Sequence, residues 1–482
     1  MALQIIEFDN WIGHDLGRTA PGAYHYGRRK LLKSYSFFRG LNVMRYLNGA
    51  VGPRPPFQAL NMPLLGPAQG APPNPGWNGN FFTALWVGGL RRIVLIMDNG
   101  DVFVSSGSGG VIPLGTYPAT FGWYYIGRLS FTPGTACVNG DNIFVGGFQN
   151  QTPGNPATNP AAMINPAAVT ITNLTGVPAC NKSVAYQQFI VVGLAANPAA
   201  SLAGSSVIWF SDIPANISDL PGQSWTSATG NNVGVVGVGT AEAISGLFTQ
   251  KDTLVISKQG GEWWTLVGIP SGPPTIRRLD VGLDFKVVGA AIRQSNIWYP
   301  NGRDIGTFTG TAVLISALPD LDDFGGSSKY TYGTFNGITS LVNPDEFMLT
   351  ATGTRYNGQN VPWVFIHHGL EGTGTSPGWS RHVLDYRGLG GSFVASSNIP
   401  LHVGDGVVWL FLQAQPNLQV DVFQFDVRSE IPYQRVGPSF PPGNPAALYQ
   451  DLTDITPVAG EFSIPEWWAP DGHNAGVQKV FV

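Results

Sequence analysis

The chain has 482 residues, of which 43% are hydrophobic and only 12% charged, with a formal net charge of −4. That length holds one large domain or a few ordinary ones, and an aromatic share of 12% excludes disordered low complexity. The charge balance excludes nucleic-acid binding by bulk attraction, and two cysteines exclude a disulfide framework or a cysteine zinc site.

The 63 Gly and 38 Pro, about one residue in five, interrupt helices but suit short strands joined by turns, so an all-β chain is expected. Arg outnumbers Lys by 18 to 8, a bias of surfaces buried against partners and equally of genomes with skewed composition. Residues 1–76 read as an N-terminal arm. MALQIIEFDNWIGHDLG lacks the basic and apolar regions of a signal peptide, and no window nears the ~18 apolar residues of a membrane span. RRKLLKSYSFFRGLNVMRYL places Leu31, Leu32, Tyr35 and Phe38 at helical spacing and predicts a short helix within Arg28–Leu47. VGPRPPFQALNMPLLGPAQGAPPNPG, beyond it, admits only extended or turn backbone.

From Trp77 strand signals recur every ten to fifteen residues. RRIVLIMDNGDVFVSSG is the clearest: two β-branched runs flank Asp98-Asn99-Gly100-Asp101, and Asn-Gly accepts the positive φ of a type I′ hairpin. TACVNGDNIFVGGF repeats the device at Asn139-Gly140-Asp141, and residues 149–168 form a proline-spaced loop. VIWFSDIPANISDLPGQSW then runs four apolar residues into Ser211-Asp212 and closes on Trp225; the plain reading is a strand whose loop returns a tryptophan to cap the core. FTQKDTLVISKQGGEWWTLVG, SNIWYPNGRDIGTFTG and DGVVWLFLQAQ continue the rhythm. A sandwich needs ~100 residues, so about 340 residues of one rhythm imply several sandwiches or one propeller. With no composition shift across Trp77–Gln415, a single β-propeller of about six blades is expected over 77–415. Residues 416–482 form a C-terminal β or extended segment, so that Pro/Gly-rich arms flank the core at both ends.

Chemistry-bearing clusters are few. Asp280 with Asp284, or Asp320 with Asp322 and Asp323, supply carboxylates that read most simply as solvated turn acids. Leu318–Gly326 lacks the ligand order of a helix-loop-helix calcium loop. His367-His368, His382 and His402 are adjacent or scattered, and neighbours on a strand point to opposite faces. Glycine-rich Gly107–Gly110 and Gly230–Gly239 lack the following Gly-Lys-Ser/Thr of a phosphate loop. No metal, cofactor or catalytic residue is expected. Arg28, Arg29, Lys30 and Lys33 form the one cationic cluster, a solvated face or a subunit contact; with Arg54, Phe57, Trp467 and Trp468 they are the candidate interface residues.

Three successive motifs carry a resemblance. They are Ile208-Trp209-Phe210-Ser211-Asp212 with Ser224-Trp225, then Lys251–Val255 with Gly260–Trp264, then Gly289–Ala291 with Ile297–Tyr299 and Gly302–Gly306. With the lead-in GLNVMRYLNGAVGPRPPF, this succession resembles the β-propeller tail proteins of tailed phages, including the nozzle type of short-tailed ones, over Gly40–Leu321. The resemblance implies a structural virion protein made in the host cytoplasm. It would assemble with copies of itself, six by expectation, into a ring beside portal, adaptor or other tail proteins, with genome DNA passing through the lumen without sequence-specific contact. The alternative is a propeller that binds or cleaves host-surface glycans through aromatics such as Trp263-Trp264 or Trp467-Trp468. A third is a capsid-surface or adhesin-like protein of several sandwiches.

Overall fold

The protein is described here from a computed structural model. It describes residues 92–97, 100–105, 123–147, 161–193, 206–214, 219–225, 233–237, 242–258, 260–267, 275–279, 291–293, 295–301 and 304–310. Beyond those it describes individual strands between residues 11 and 475.

The described residues form strands and turns, with no helix among them. The first 76 residues contribute β1 (Trp11–His14), β2 (Tyr35–Phe37), β3 (Arg39–Leu41), β4 (Val43–Arg45), β5 (Val51–Pro53) and β6 (Gln58–Leu60). A first sheet follows from β7 (Leu85–Val87), β8 (Arg92–Ile96), β9 (Asp101–Ser105) and β10 (Trp123–Arg128). The second holds β11 (Pro133–Asn139), β12 (Asn142–Gly147), β13 (Ala161–Asn165) and β14 (Thr170–Leu174). The third holds β15 (Lys182–Tyr186), β16 (Phe189–Gly193), β17 (Val207–Phe210) and β18 (Val233–Val235). In the fourth are β19 (Ile244–Gln250), β20 (Thr253–Lys258), β21 (Trp263–Val267) and β22 (Arg277–Leu279). The fifth consists of β23 (Ala291–Arg293), β24 (Asn296–Asn301), β25 (Asp304–Phe308) and β26 (Val313–Ser316). A sixth is built on β27 (Thr334–Ser340) and β28 (Phe347–Thr352), then, past the small hairpin β29 (Arg355–Tyr356) and β30 (Gln359–Asn360), on β31 (Trp363–His368) and β32 (Gly378–Val383). The seventh joins β33 (Ile399–Gly404), β34 (Val407–Ala414) and β35 (Gln419–Asp426). Short strands β36 (Glu461–Ser463), β37 (Trp467–Trp468) and β38 (Asn474–Ala475) follow.

Apart from the parallel pair β1–β2 the sheets are antiparallel, and the first strands of several successive sheets lie side by side: β11 beside β15, β15 beside β19, β23 beside β27, β27 beside β33. The core explains why the middle strands read as unbroken apolar runs. Strand side chains alternate between faces, and here both faces meet another sheet. On β12, Ile143 and Val145 pack toward the first sheet while Phe144 packs toward the third. On β16, Ile190 and Val192 face the second sheet and Val191 the fourth. On β20, Leu254 and Ile256 face the third and Val255 the fifth. A sheet covered on both sides has no solvent face for polar residues to occupy.

The terminal segments enter these sheets. β6 pairs with β35 through Leu60↔Val422, Ala59↔Phe423 and Gln58↔Gln424, giving the seventh sheet its fourth strand. β1 and β2 extend the sixth sheet beyond β32, and β3 pairs with β36. The helix predicted within Arg28–Leu47 is therefore not formed where the chain is described; residues 28–34 lie outside that part. Helical spacing there is met by few positions, while Ser36, Gly40 and Asn42 favour other backbone. β2, β3 and β4 each find a strand partner instead, in β1, β36 and β5.

The turns follow their residues in part. Gly100 has φ +87° and closes β8 on β9, but its amide donates to Met97 O and the Met97 amide to Asp101 O, so the loop holds three residues rather than the two of the type I′ turn expected. In the next hairpin Asn139 faces Asn142, so Gly140 (φ +59°) takes the first central position, with no positive φ at Asp141: the II′ rather than the I′ pattern.

Candidate interface at the sheet seams

The candidate interface residues fall mostly outside the described residues: Arg28, Arg29, Lys30, Lys33, Arg54 and Phe57 all do. Trp467 and Trp468 form β37, paired with Ala475 and Asn474 of β38. Asp280, Asp284, Asp320, Asp322, Asp323 and the glycine-rich runs also lie outside, except Gly234–Gly237. Among the described residues no three His, Cys, Asp or Glu side chains converge to hold a metal ion, and no helix is long and apolar enough to cross a membrane.

What the fold does bring together is a repeated polar latch between sheets. The last residue of a first strand reaches into the following sheet at the end bearing the first turn. Asn139, ending β11, donates through Nδ2 to the Pro221 carbonyl at 2.6 Å. Tyr186, ending β15, donates to the Asp252 carbonyl at 3.0 Å, in the turn between β19 and β20. Gln250, ending β19, donates to Ser295 O at 2.6 Å, in the turn between β23 and β24, and to Phe308 O at 3.2 Å. Three different side chains occupy one structural position and do one job. All are buried, where a hydrogen bond is strongest and its loss costs most.

The loop inside VIWFSDIPANISDLPGQSW sits at this same end. Ser211 Oγ accepts from the Ile190 amide at 2.9 Å and its own amide donates to Ile190 O, so the serine extends the ladder one step past β17. Asp212 takes the Ser224 hydroxyl at 2.7 Å, closing the loop. Trp225 returns to the core, its indole donating to Gly222 O at 2.7 Å and its ring tilted on Phe144 with centroids 6.0 Å apart. The polar turn and second tryptophan thus clamp the third sheet onto the second. Around it three apolar side chains reach solvent: Val138, Val169 and Ile213 are 38%, 41% and 53% exposed. Val169 also holds φ +56°, a costly backbone for a β-branched residue.

The opposite end carries charge. Lys258 is fully buried, with Nζ 3.7 Å from Glu262 Oε2 and donating to Val236 O, just past β18 of the third sheet. Arg278 lies 3.7 Å from the other Glu262 oxygen, and the Glu242 carboxylate lies over Gly260. Burial holds the Lys258 amine below its usual range, against the opposing pull of Glu262 and Glu242. A second ion pair, Asp101 with Arg128, is bidentate at 2.7 and 3.0 Å and joins β9 to β10. Cys137 and Cys180 share one cluster, and burial pushes the Cys137 thiol up to about 12 and the Cys180 thiol higher still, which suppresses thiolate chemistry. The aromatic pair weighed for sugar stacking divides. Trp263 is buried against Tyr299 and Phe308, with centroids 5.4 Å from each, and offers no free face; Trp264 is half-buried and donates to Glu262.

No family model matches the chain, and no curated protein matches it. Among solved structures it is similar to the extracellular domain of a hybrid two-component system from B. thetaiotaomicron, at 10% identity and a TM-score of 0.43, over 76% of this chain and 39% of that one. It is also similar to YCF48 bound to D1 peptide, at 9% and 0.42, over 77% and 97% of the two chains. Another is the computationally designed Ika8 protein, at 11% and 0.37, over 72% and 96%. Likenesses of this degree carry no function from one chain to another.

Proposed function

We propose that the protein is a structural component of a phage tail, of the nozzle or hub type: a seven-bladed β-propeller that assembles with copies of itself into a ring. The seven sheets in chain order favour seven blades over the six expected. Closure comes from β6, an early strand that completes the last sheet, as joining the ends of a circular stack requires. The observation that carries the structural role is the latch formed by Asn139, Tyr186 and Gln250. Buried polar groups that a catalyst would aim at a substrate are turned into neighbouring sheets, where they stiffen the stack. A stiff body with few surface charges to desolvate suits a large permanent interface. Head-to-tail contacts that close by rotation would give the ring, and the chain's sparse Lys and Arg are compatible with a lumen that lets DNA slide past. In the virion such a ring sits against portal, adaptor or other tail proteins.

Negative-stain imaging of the purified chain tests this. Rings of uniform copy number are expected. A monomer that releases sugar from a polysaccharide would overturn the reading in favour of a glycan-degrading protein.

A further inference from the structure

We infer that β1 is a donor strand exchanged between neighbouring copies: Trp11–His14 of one copy fills the slot between β2 and β32 of the next. This rests on the ring reading and names the segment that makes the contact.

The sixth sheet runs β2-β1-β32-β31-β28-β27. It is the one sheet among the described residues in which further strands pair beyond the fourth strand of the meander. β1 is inserted there, antiparallel to β32 through His14↔Trp379 and parallel to β2 through Trp11↔Tyr35, Gly13↔Ser36 and His14↔Phe37. Without β1, two backbone edges face each other across one strand's width. Such a slot accepts an extended segment through main-chain hydrogen bonds, with few demands on side chains.

Chain lengths decide which strand is free to travel. β2 and β3 are separated by Phe38 alone, β3 and β4 by Asn42 alone, and β5 from β6 by residues 54–57. Because β6 is paired within the seventh sheet, the whole run from β2 to β6 is tied to its own body. β1 is different: residues 15–34, twenty in number, lie between it and β2. A parallel return over a strand of this length needs about a dozen residues, whereas twenty span up to about 66–72 Å when extended. The surplus reaches an adjacent copy. The same backbone bonds form within one chain or between two, so exchange sacrifices no contact, and repeated head to tail it links copies into a closed ring.

The test uses the register. A chain carrying His14→Cys is co-expressed with a larger, tagged chain carrying Trp379→Cys, and the purified mixture is oxidised with diamide. The expected result is a disulfide-linked pair of unlike chains, lost on reduction and absent when either introduced cysteine is omitted. The double variant should give a linked ladder. Trp11→Cys with Tyr35→Cys serves as a second pair in case the change at Trp379 hinders folding. Light scattering on the parent protein separates the two readings. Rings that form while the double variants close only within single chains overturn the exchange and leave the assembly standing. A parent that stays monomeric overturns both.

Discussion

Replacing Gln250 with Ala asks whether the latches bind the sheets into one cooperative body. The Gln250 amide is buried and donates to Ser295 O at 2.6 Å and Phe308 O at 3.2 Å across the seam between the fourth and fifth sheets. Each such bond contributes about 1 kcal/mol net, and leaving the two carbonyls unserved adds a desolvation cost of about 1–2 kcal/mol, so the loss is about 3–4 kcal/mol. Chemical denaturation reads the total, and amide hydrogen exchange reads its distribution. In a latched stack the variant should lose protection on both sides of the seam, in β20 and in β24, and still unfold in one transition. Gln250→Glu should cost more, because a carboxylate there meets two carbonyl oxygens instead of serving them. An Ala variant within about 0.5 kcal/mol of the parent, the range of an ordinary surface change, refutes the reasoning. So does a loss of protection confined to the fourth sheet.

Other outcomes follow from the same packing. Gly306 faces Tyr299 across the β24–β25 ladder, where an added Cβ would press into the buried ring, so Gly306→Ala should destabilise by about 1–3 kcal/mol in denaturation, with part recovered by Tyr299→Leu. Stability should fall as pH rises past about 9. The unfolded Cys137 thiol ionises from its ordinary 9.0 whereas the folded one waits until about 12, which favours the unfolded chain progressively through that window. Tyr299, raised from 10.0 to about 12 by burial, adds to the loss between those values, and Cys137→Ser should flatten the lower part of the pH profile. Truncation of residues 1–60 removes β6 and bares the edge of β35, so it should aggregate or melt earlier, while removal of residues 1–50 should preserve the seventh sheet by hydrogen exchange.

Much of this architecture is written locally. NIFVGG, FIVVG and TLVISK each carry an unbroken apolar centre, Ile143–Val145, Phe189–Val192 and Leu254–Ile256, because each lies between two other sheets, and their brevity marks them as strands. Gly100 and Gly140 announce their hairpins because glycine takes a positive φ without strain. Other hairpins carry no such sign: Gln187, Lys251 and Ser295 all adopt φ between +52° and +64°. No local propensity selects them for that backbone; paired strands on either side impose it.

The latch was hidden for a related reason. Asn139, Tyr186 and Gln250 share no residue type, and only their common place at the end of a first strand makes them equivalent. The short helix expected within Arg28–Leu47 gave way because β2, β3 and β4 found edges supplied from elsewhere in the chain, and Gln58–Leu60 became a strand inside a proline-rich stretch for the same cause. Composition and turn chemistry act over a few residues, so they determined that this chain makes short antiparallel strands and where many of them bend. Which strands become neighbours, which polar groups cross a seam and which end of the chain completes a sheet depend on groups brought together from tens to hundreds of residues apart, and only the tertiary structure could decide them.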